Sequence, residues 1–316
     1  MKINVLFEHP NWSDALIDVF RTRDVTLDLT NIAELAFDTD LKDLPPTDLI
    51  INRINIMPSA ERPPQVVFQT LHYLSFLELT GTRMINGSRA HFIGSSKAMQ
   101  NGIFTKLGLA CPKAIAIYRI EDALAAADKM DYPVIVKPNI GGSGSGIAKF
   151  DSRQELVDAV KIRSLDLGVD RTGLVQQYIN SDGFIYRIEI LGDQLFYSIR
   201  QSIQENNFNY CAADGCASEQ PEASEADEFD FCAIAGGERI QTFDAEPEII
   251  QDVIKIVQAC EADVGGVEYF IDTDTGRPCY YDFNPYSNFV TNGEALLGFS
   301  PEQRYVDFVL SQYNHP

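Results

Sequence analysis

Basic residues are scarce in this 316-residue chain, in which 25 Lys and Arg face 46 Asp and Glu and the formal net charge is −21. Binding to a nucleic-acid backbone needs a basic surface, so this balance argues against a nucleic-acid partner. The chain also lacks an apolar run of about eighteen residues, which argues against a membrane-spanning helix. Residues 1–12 lack the features of a cleavable secretory signal, and we therefore expect a cytoplasmic protein.

Histidines and paired cysteines are also few. The chain has 4 His and 6 Cys, and no two cysteines have Cys-x-x-Cys spacing. A metal cluster of Cys211, Cys216 and Cys232 can be considered, but this spacing favours free thiols. Residues 219–230 hold six acids and no base, which is typical of a mobile surface loop.

What is present indicates a soluble α/β protein. The hydrophobic fraction of 45% is sufficient for a full core, and the length is typical of two domains or three compact lobes. In the first ninety residues, apolar strand patterns alternate with helical periodicity, which predicts a parallel sheet. The predicted strands are 3–9, 25–31 and 48–54, and the predicted helices are 12–22 and 64–79.

Later in the chain the strands adjoin one another. Turn signals predict one hairpin around Gly192-Asp193 and a second one centred near Thr275. Residues 286–300 have the composition of a polar loop. The other predicted strands are 114–118, 134–139, 146–150 and 173–179. The other predicted helices are about 96–107, 121–130, one starting at Asp151 or Ser152, 246–262 and 301–312.

Oxygen ligands are concentrated in the second hairpin. Asp282 and Asn284 are two residues apart on one strand and therefore point to the same face, with Glu268 directly opposite Asp282 if the turn is centred near Thr275. Three such ligands suit magnesium bound to phosphates, and the alternative is an exposed polar face of a sheet. The opposite face is predicted to be apolar, with Val267, Tyr269, Tyr281 and Phe283.

The first hairpin carries two arginines. A turn at Gly192-Asp193 predicts that Arg187, Glu189, Ser198 and Arg200 share one face. Two guanidinium groups suit a polyphosphate or a developing oxyanion, and the alternative is a solvated strand with an Arg–Glu pair. The opposite face is predicted to hold Tyr186, Ile188, Ile190, Leu195, Tyr197 and Ile199.

A lysine and a glycine-rich loop form a third candidate element. Lys137 lies among β-branched residues, where an ammonium group needs an anionic partner. Residues 140–146 follow with four glycines, whose backbone N–H groups can approach phosphate oxygens closely. A strand pattern, not a helix, comes after the loop, so this is neither a Walker nor a dinucleotide-binding motif. A merely flexible turn is the alternative.

In their order along the chain, from Lys97 in SSKAM through Lys137 with its glycine-rich loop and LVQQYI to the two hairpins, these elements resemble the ATP-grasp superfamily, particularly its RimK-type and glutathione-synthetase-like carboxylate–amine ligases. The resemblance covers about residues 85–312. It implies an α/β (α+β) chain with an ATP-grasp fold and an N-terminal Rossmann-like pre-ATP-grasp domain. The implied domains are 1–94, a small lobe 95–172 with the glycine-rich loop, and a large lobe 173–316 with the metal site.

The resemblance also implies roles for individual residues. Lys97 and Lys137 would contact ATP phosphates, Asp182 would contact the ribose, and Arg187 and Arg200 would act in catalysis. One or two Mg2+ ions, with Mn2+ as a substitute, would be held by Glu268, Asp282 and Asn284. The loop over the phosphates would consist of Gly141, Gly142, Ser143, Gly144, Ser145 and Gly146. The adenine hinge would consist of Gln176, Gln177, Tyr178 and Ile179.

The chain departs from the family pattern at three positions. Ile185 stands where RimK-type enzymes carry an acid, Asp282 is shorter than the usual glutamate, and Tyr286 stands where some relatives carry arginine. The first two affect the expected ribose and metal geometry. The third weakens a carboxylase-type interpretation.

The function implied is an ATP-dependent ligase that joins a carboxylate to an amine through an acyl phosphate. The alternatives are a phosphotransferase, a ligase with a non-amine acceptor, and a non-catalytic ATP-binding regulator. The expected partners are a small-molecule carboxylate and an amine, such as an amino acid or peptide, and a homodimer is the default assembly. Because no base occurs in 206–216, we predict a neutral or cationic amine, with Asn207 and Asn209 as candidate contacts.

Overall fold

The chain folds around three β-sheets in the computed structural model, which describes residues 1–8, 13–41, 44, 46–56, 63–142, 144–203, 240–286, 289–290 and 293–313. Its mixed α/β composition agrees with the predicted fold class. Within these residues the longest helix has 14 residues, a length of about 21 Å, and no helix is long and apolar enough to cross a bilayer.

The N-terminal sheet is parallel, as the alternation of strands and helices predicts. Its strand order is β2-β1-β3-β4. The fourth strand and the helix after it were not predicted, because three residues are too few to show periodicity. The strands are β1 (Lys2–Phe7), β2 (Thr26–Asn31), β3 (Leu49–Asn52) and β4 (Arg83–Ile85). The helices are α1 (Asp14–Arg21), α2 (Gln65–Glu78) and α3 (Ser88–Gly94).

The second sheet is antiparallel, with the order β5-β8-β6-β7. Two helices in this part of the chain begin at serine caps, since the Ser96 and Ser152 side chains accept hydrogen bonds from backbone N–H groups three residues later. The strands are β5 (Ala114–Ile117), β6 (Val134–Pro138), β7 (Ala148–Phe150) and β8 (Gly173–Gln177). The helices are α4 (Lys97–Lys106), α5 (Asp122–Ala127) and α6 (Arg153–Lys161).

The third sheet is antiparallel and has the order β11-β10-β9-β12-β13. Both predicted hairpins are confirmed. A short helix occurs at 293–297, inside the stretch predicted to be a loop. The strands are β9 (Phe184–Leu191), β10 (Gln194–Ser202), β11 (Ile240–Thr242), β12 (Val264–Asp272) and β13 (Arg277–Asn284). The helices are α7 (Pro247–Ala259), α8 (Gly293–Leu297) and α9 (Pro301–Tyr313).

Strand β8 belongs to the second sheet, where it pairs with β5 and β6. The predicted boundary places this strand in the large lobe. The sequence does not show its pairing, because the order of strands along the chain does not reveal which of them pair. The predicted lobe boundary before Gly173 stays a prediction.

The N-terminal sheet is fastened to the third sheet by an ion pair and a buried amide. Arg83 pairs with Asp263 through two hydrogen bonds, one of 2.8 Å. The buried Asn86 side chain donates to the carbonyls of Val264 and Pro285 at 2.8 Å, and its oxygen accepts from the N–H of Asp263 at 2.8 Å. These bonds fix the first domain against the strands that carry the candidate site.

Buried His91 predicts a dependence of stability on pH. Its Nε2 lies 3.0 Å from the Val67 carbonyl, and burial lowers its pKa from 6.5 to about 4. The unfolded chain binds a proton at His91 that the folded chain excludes. The free energy of unfolding should therefore fall by up to roughly 3 kcal/mol as pH drops from about 6.5 to about 4.

Urea unfolding across this pH range, compared with the His91→Gln variant, measures the effect. The glutamine keeps a donor for the carbonyl but does not titrate, so the variant should lose this part of the pH dependence. Equal slopes in the two proteins would contradict the role of His91.

Candidate active site

One face of the third sheet carries the predicted metal ligands. The register pairs Glu268 with Asp282 on one side and with Arg187 on the other, so these side chains form a row across three strands. The predicted opposition of Glu268 and Asp282 is confirmed. A second row, displaced by two residues, runs through Glu189, Gly266 and Asn284. We call this surface the cleft face.

A register shift next to Glu268 corrects one prediction. Tyr269 pairs with Tyr280 and not with Tyr281, so Tyr280 lies in the apolar core and is 1% exposed. Tyr281 is directed to the cleft side, where its hydroxyl donates to Glu268 Oε2 at 2.7 Å. Two adjacent tyrosines allow either assignment from sequence, and the β-bulge decides between them.

Two lysines reach the cleft face, one from the start of α4 and one from β6 of the second sheet. Lys97, the first residue of α4, lies with its Nζ 2.5 Å from Asp282 Oδ1. Lys137 is buried on β6, and burial together with the charge of Lys97 lowers its pKa from 10.5 to about 8, against the attraction of Asp282. The structure thus brings together both predicted phosphate-binding lysines and a predicted metal ligand.

Asn139, which the sequence did not single out, fixes Lys97 in place. Its backbone carbonyl accepts from Lys97 N at 3.1 Å, and its side-chain oxygen accepts from Ala98 N at 3.0 Å and from the Ser96 hydroxyl at 3.3 Å. The start of α4 is thereby tied to the end of β6. An asparagine directly after the lysine strand, two residues past Lys137, was the available signal for this role.

Arg187 lies between two glutamates. Its Nε donates to Glu189 Oε1 at 2.6 Å, and its Nη1 lies 3.5 Å from Glu268 Oε1. Burial lowers the pKa of the guanidinium, but attraction to Glu189 and Glu268 outweighs burial and the pKa is raised. For Glu268, burial and Asp282 raise the pKa, while Arg187 opposes them.

The Glu268, Asp282 and Asn284 oxygens fit Mg2+. Asn284 Oδ1 accepts from Tyr286 N at 2.9 Å and retains a second lone pair. Within the described ranges no three His, Cys, Asp or Glu side chains are grouped for a metal. Mg2+ commonly uses one or two carboxylates together with waters and substrate phosphates, so two carboxylates and an amide are compatible with it.

Arg200 lies on the opposite face from Arg187, which corrects the sequence-based prediction. A register shift between Leu195 and Tyr197 pairs Arg200 with Tyr186 and Ser198 with Ile188. Its guanidinium lies 4.8 Å from the Phe184 ring centroid and donates to Gln241 Oε1 at 3.0 Å. One extra residue in β10 reverses the side-chain alternation, and the sequence carries no signal for it.

The displaced Arg200 leads to a prediction about catalysis. Arg200→Ala should change ATP turnover and ATP affinity by less than about threefold, since the guanidinium is not on the cleft face. Steady-state kinetics with Arg187→Ala as the comparison tests this, because that variant removes the guanidinium that faces Glu268. A hundredfold loss for Arg200→Ala would contradict the register-based assignment.

The glycine-rich loop joins β6 to β7, directly after Lys137. Gly144 and Gly146 have φ values of 72° and 73°, which other residues rarely adopt. A Cβ on Gly146 would lie 2.8 Å from an Asp166 oxygen and from the Pro138 ring. Both glycines are therefore required by the backbone. Ser143 lies outside the described residues, so its predicted contact is untested.

The predicted adenine hinge lies at the end of β8. Gln176 is buried, Gln177 N donates to the Lys113 carbonyl at 2.9 Å, and Tyr178 N donates to the Pro133 carbonyl at 3.1 Å. These two N–H groups already have acceptors, and the role of residues 176–179 toward adenine stays a prediction.

Asp182, the predicted ribose ligand, has two protein donors. Its carboxylate accepts from the Tyr186 hydroxyl at 2.7 Å and from Phe184 N at 3.2 Å. Tyr186 is also the cross-strand partner of Arg200. The role of Asp182 toward a ribose stays a prediction.

The remaining predictions concern cysteines and the acceptor. Cys111, Cys260 and Cys279 are free thiols, and burial raises the pKa of Cys260 and Cys279 to about 12. Asn207, Asn209, the acidic stretch 219–230 and the three other cysteines lie outside the described residues. The predictions made for them are therefore untested by the structure.

Sequence comparisons relate this chain to ATP-using enzymes. Residues 97–194 match the family described as carbamoyl-phosphate synthase L chain, ATP binding domain. A D-alanine–D-alanine ligase of Pseudomonas fluorescens is 31% identical over 127 residues, 40% of this chain and 38% of that ligase. A carbamoyl phosphate synthase large chain of Xanthomonas campestris is 28% identical over 185 residues, 57% of this chain and 15% of that protein. The chain thus spans less than half the length of these relatives.

Solved structures match over nearly the whole chain. The VanG D-Ala:D-Ser ligase of Enterococcus faecalis has a TM-score of 0.69 at 17% identity, covering 99% of both chains. A RimK domain ATP-grasp protein of Sphaerobacter thermophilus has a TM-score of 0.64 at 16% identity, covering 97% of this chain and 99% of that one. The ATP-grasp ligase PsnB has a TM-score of 0.66 at 14% identity, covering 98% and 99%. The chain therefore has the ATP-grasp fold, as its sequence predicts.

Proposed function

We propose that the chain is an ATP-dependent ligase that activates a carboxylate as an acyl phosphate and joins it to an amine, releasing ADP and phosphate. The arrangement of charges on the cleft face carries this proposal. Lys97, Lys137 and Arg187 supply three cations beside the Glu268 and Asp282 carboxylates. Transfer of a phosphoryl group requires positioned cations more than covalent assistance by the protein.

In this proposal the lysines neutralise ATP phosphates, and Arg187 stabilises the charge on the transferred group. Glu268, Asp282 and Asn284 would hold Mg2+, which when bound neutralises phosphate oxygens. The loop 141–146 would exclude water, because an acyl phosphate is hydrolysed readily if water reaches it. Residues 176–179 would contact the adenine and Asp182 the ribose.

The names of the relatives support amino-acid substrates. They include D-alanine–D-alanine ligases and a D-Ala:D-Ser ligase, each of which is named for two amino acids. We extend this to a small carboxylate and an amine, such as an amino acid or a peptide. A neutral or cationic amine, a homodimer and a cytoplasmic location remain parts of the proposal.

Phosphate release from MgATP tests the function. Pooled carboxylates and amines should both be required, with acidic, neutral and basic amines assayed separately. Formation of ADP and a phosphorylated product with only one organic substrate, without release of inorganic phosphate, would indicate a phosphotransferase. Binding of MgATP without release under any combination would indicate a regulator and overturn the ligase proposal.

A further inference from the structure

Glu189 is a buried acid on the cleft face for which the proposed chemistry has no role. It is 0% exposed. Its Oε1 lies 2.6 Å from Arg187 Nε and 2.5 Å from Arg187 Nη2, while its Oε2 accepts no hydrogen bond from the residues that the structure describes. Burying a carboxylate is unfavourable unless its charge is compensated, and Arg187 supplies that compensation. What this buried pair does beside the metal ligands requires an explanation.

The backbone opposite Glu189 makes room for this pair. Gly266 is its cross-strand partner, and a Cβ there would lie 2.5 Å from Glu189 Oε1 and 3.0 Å from Arg187 Nε. Any other residue would push into both side chains. The absence of a side chain at Gly266 thus lets Glu189 and Arg187 meet above the strand.

Two carboxylates compete for one guanidinium. Arg187 lies 2.5 to 2.6 Å from Glu189 but 3.5 Å from Glu268. Nε donates to Glu189 Oε1, Nη2 lies close to the same oxygen without a hydrogen bond, and Nη1 faces Glu268. A cation in close contact with Glu268 would compete with a metal ion for the same oxygens.

We propose that Glu189 is a positioning residue that holds Arg187 off Glu268, so that Glu268 remains available to Mg2+. This inference rests on the magnesium site of the proposed function. Without the Glu189 charge, Glu268 becomes the strongest anionic partner of Arg187. The guanidinium then closes onto the metal ligand, and more Mg2+ is needed to displace it.

The test uses the full chain and Mg2+ titrated in the presence of a non-hydrolysable ATP analogue, with binding followed by calorimetry. Glu189→Gln should raise the Mg2+ concentration for half-maximal binding about tenfold. Binding of the analogue in EDTA should stay within about twofold, because the nucleotide contacts are retained. The glutamine preserves the side-chain shape and one acceptor for Arg187.

A second substitution separates positioning from a general structural role. In the Arg187→Met background no guanidinium can close onto Glu268, so adding Glu189→Gln should shift the Mg2+ requirement by less than about threefold. An equal tenfold shift in both backgrounds would overturn the proposal, as would no shift in the single variant.

Two further variants complete the experiment. Gly266→Ala keeps both charges but pushes the pair apart, so it should raise the Mg2+ requirement in the same direction even if Glu189→Gln does not fold. Glu121→Gln is the matched control, since it removes one acid from an exposed pair with Arg163 at 3.2 Å and should change nothing. If the unaltered chain fails to bind the analogue with Mg2+, the proposed function fails, whereas normal binding without a shift in the variants refutes only the role of Glu189.

Discussion

Replacing Asp282 by asparagine is expected to lower ATP turnover about a hundredfold or more while the chain remains folded. Asp282 stands opposite Glu268 and contacts Lys97 at 2.5 Å. The substitution keeps the shape of the side chain but removes one of the two carboxylates that would hold Mg2+. Turnover should therefore fall, and higher Mg2+ should restore part of it.

The same variant should unfold only slightly more easily. The Lys97 and Asp282 side chains are 11% and 23% exposed, and the asparagine oxygen can still accept from the lysine. We expect a loss of about 1 to 2 kcal/mol in the free energy of unfolding. Asp18→Asn, which breaks the exposed pair with Arg21 at 2.8 Å, is the matched control and should leave turnover unchanged. Full turnover in Asp282→Asn would refute the metal-binding role of this face.

Replacing Lys137 by methionine is expected to weaken MgATP binding by about ten- to a hundredfold, because it removes a charge-assisted contact to phosphate. Methionine keeps most of the apolar stem in the β6 core. Calorimetric titration with MgATP measures the loss. Lys161→Met, which removes an exposed lysine from α6, should bind normally.

Although Lys137→Met should weaken MgATP binding, it should not lower the free energy of unfolding. Burial lowers the pKa of Lys137 from 10.5 to about 8, so the charged form destabilises the folded state. In the wild type, the unfolded chain takes up a proton at Lys137 below about pH 10.5, and the folded chain does so only below about pH 8. The free energy of unfolding should therefore fall by roughly 3 kcal/mol as pH drops from about 10.5 to about 8. The variant lacks this loss and should be at least as stable as the wild type at neutral pH. Unchanged MgATP affinity in a folded variant would contradict the phosphate-binding role.

Where side chains alternate regularly, the sequence was sufficient to predict their positions. The period of two along β12 and β13 and the turn near Thr275 placed Glu268 opposite Asp282, as the structure confirms. The same argument failed on β10, where a one-residue bulge moved Arg200 to the other face. It failed again at Tyr281, because a bulge exchanged it with Tyr280. A bulge depends on packing against neighbouring strands, and adjacent residues of similar character give no sign of it.

The sequence by itself determined the fold class, the ATP-grasp resemblance and the set of charged residues, since periodicity and the order of motifs are local properties of the chain. Only the tertiary structure decided which of these charges meet. Lys97 reaches Asp282, which is 185 residues away along the chain. Arg187 is held between Glu189 and Glu268, the second of which is 81 residues away. The tertiary structure also showed that Gly266 makes room for the Glu189–Arg187 pair and that Asn139 holds the start of α4. Contacts between distant segments depend on strand pairing and packing, which the local pattern does not encode.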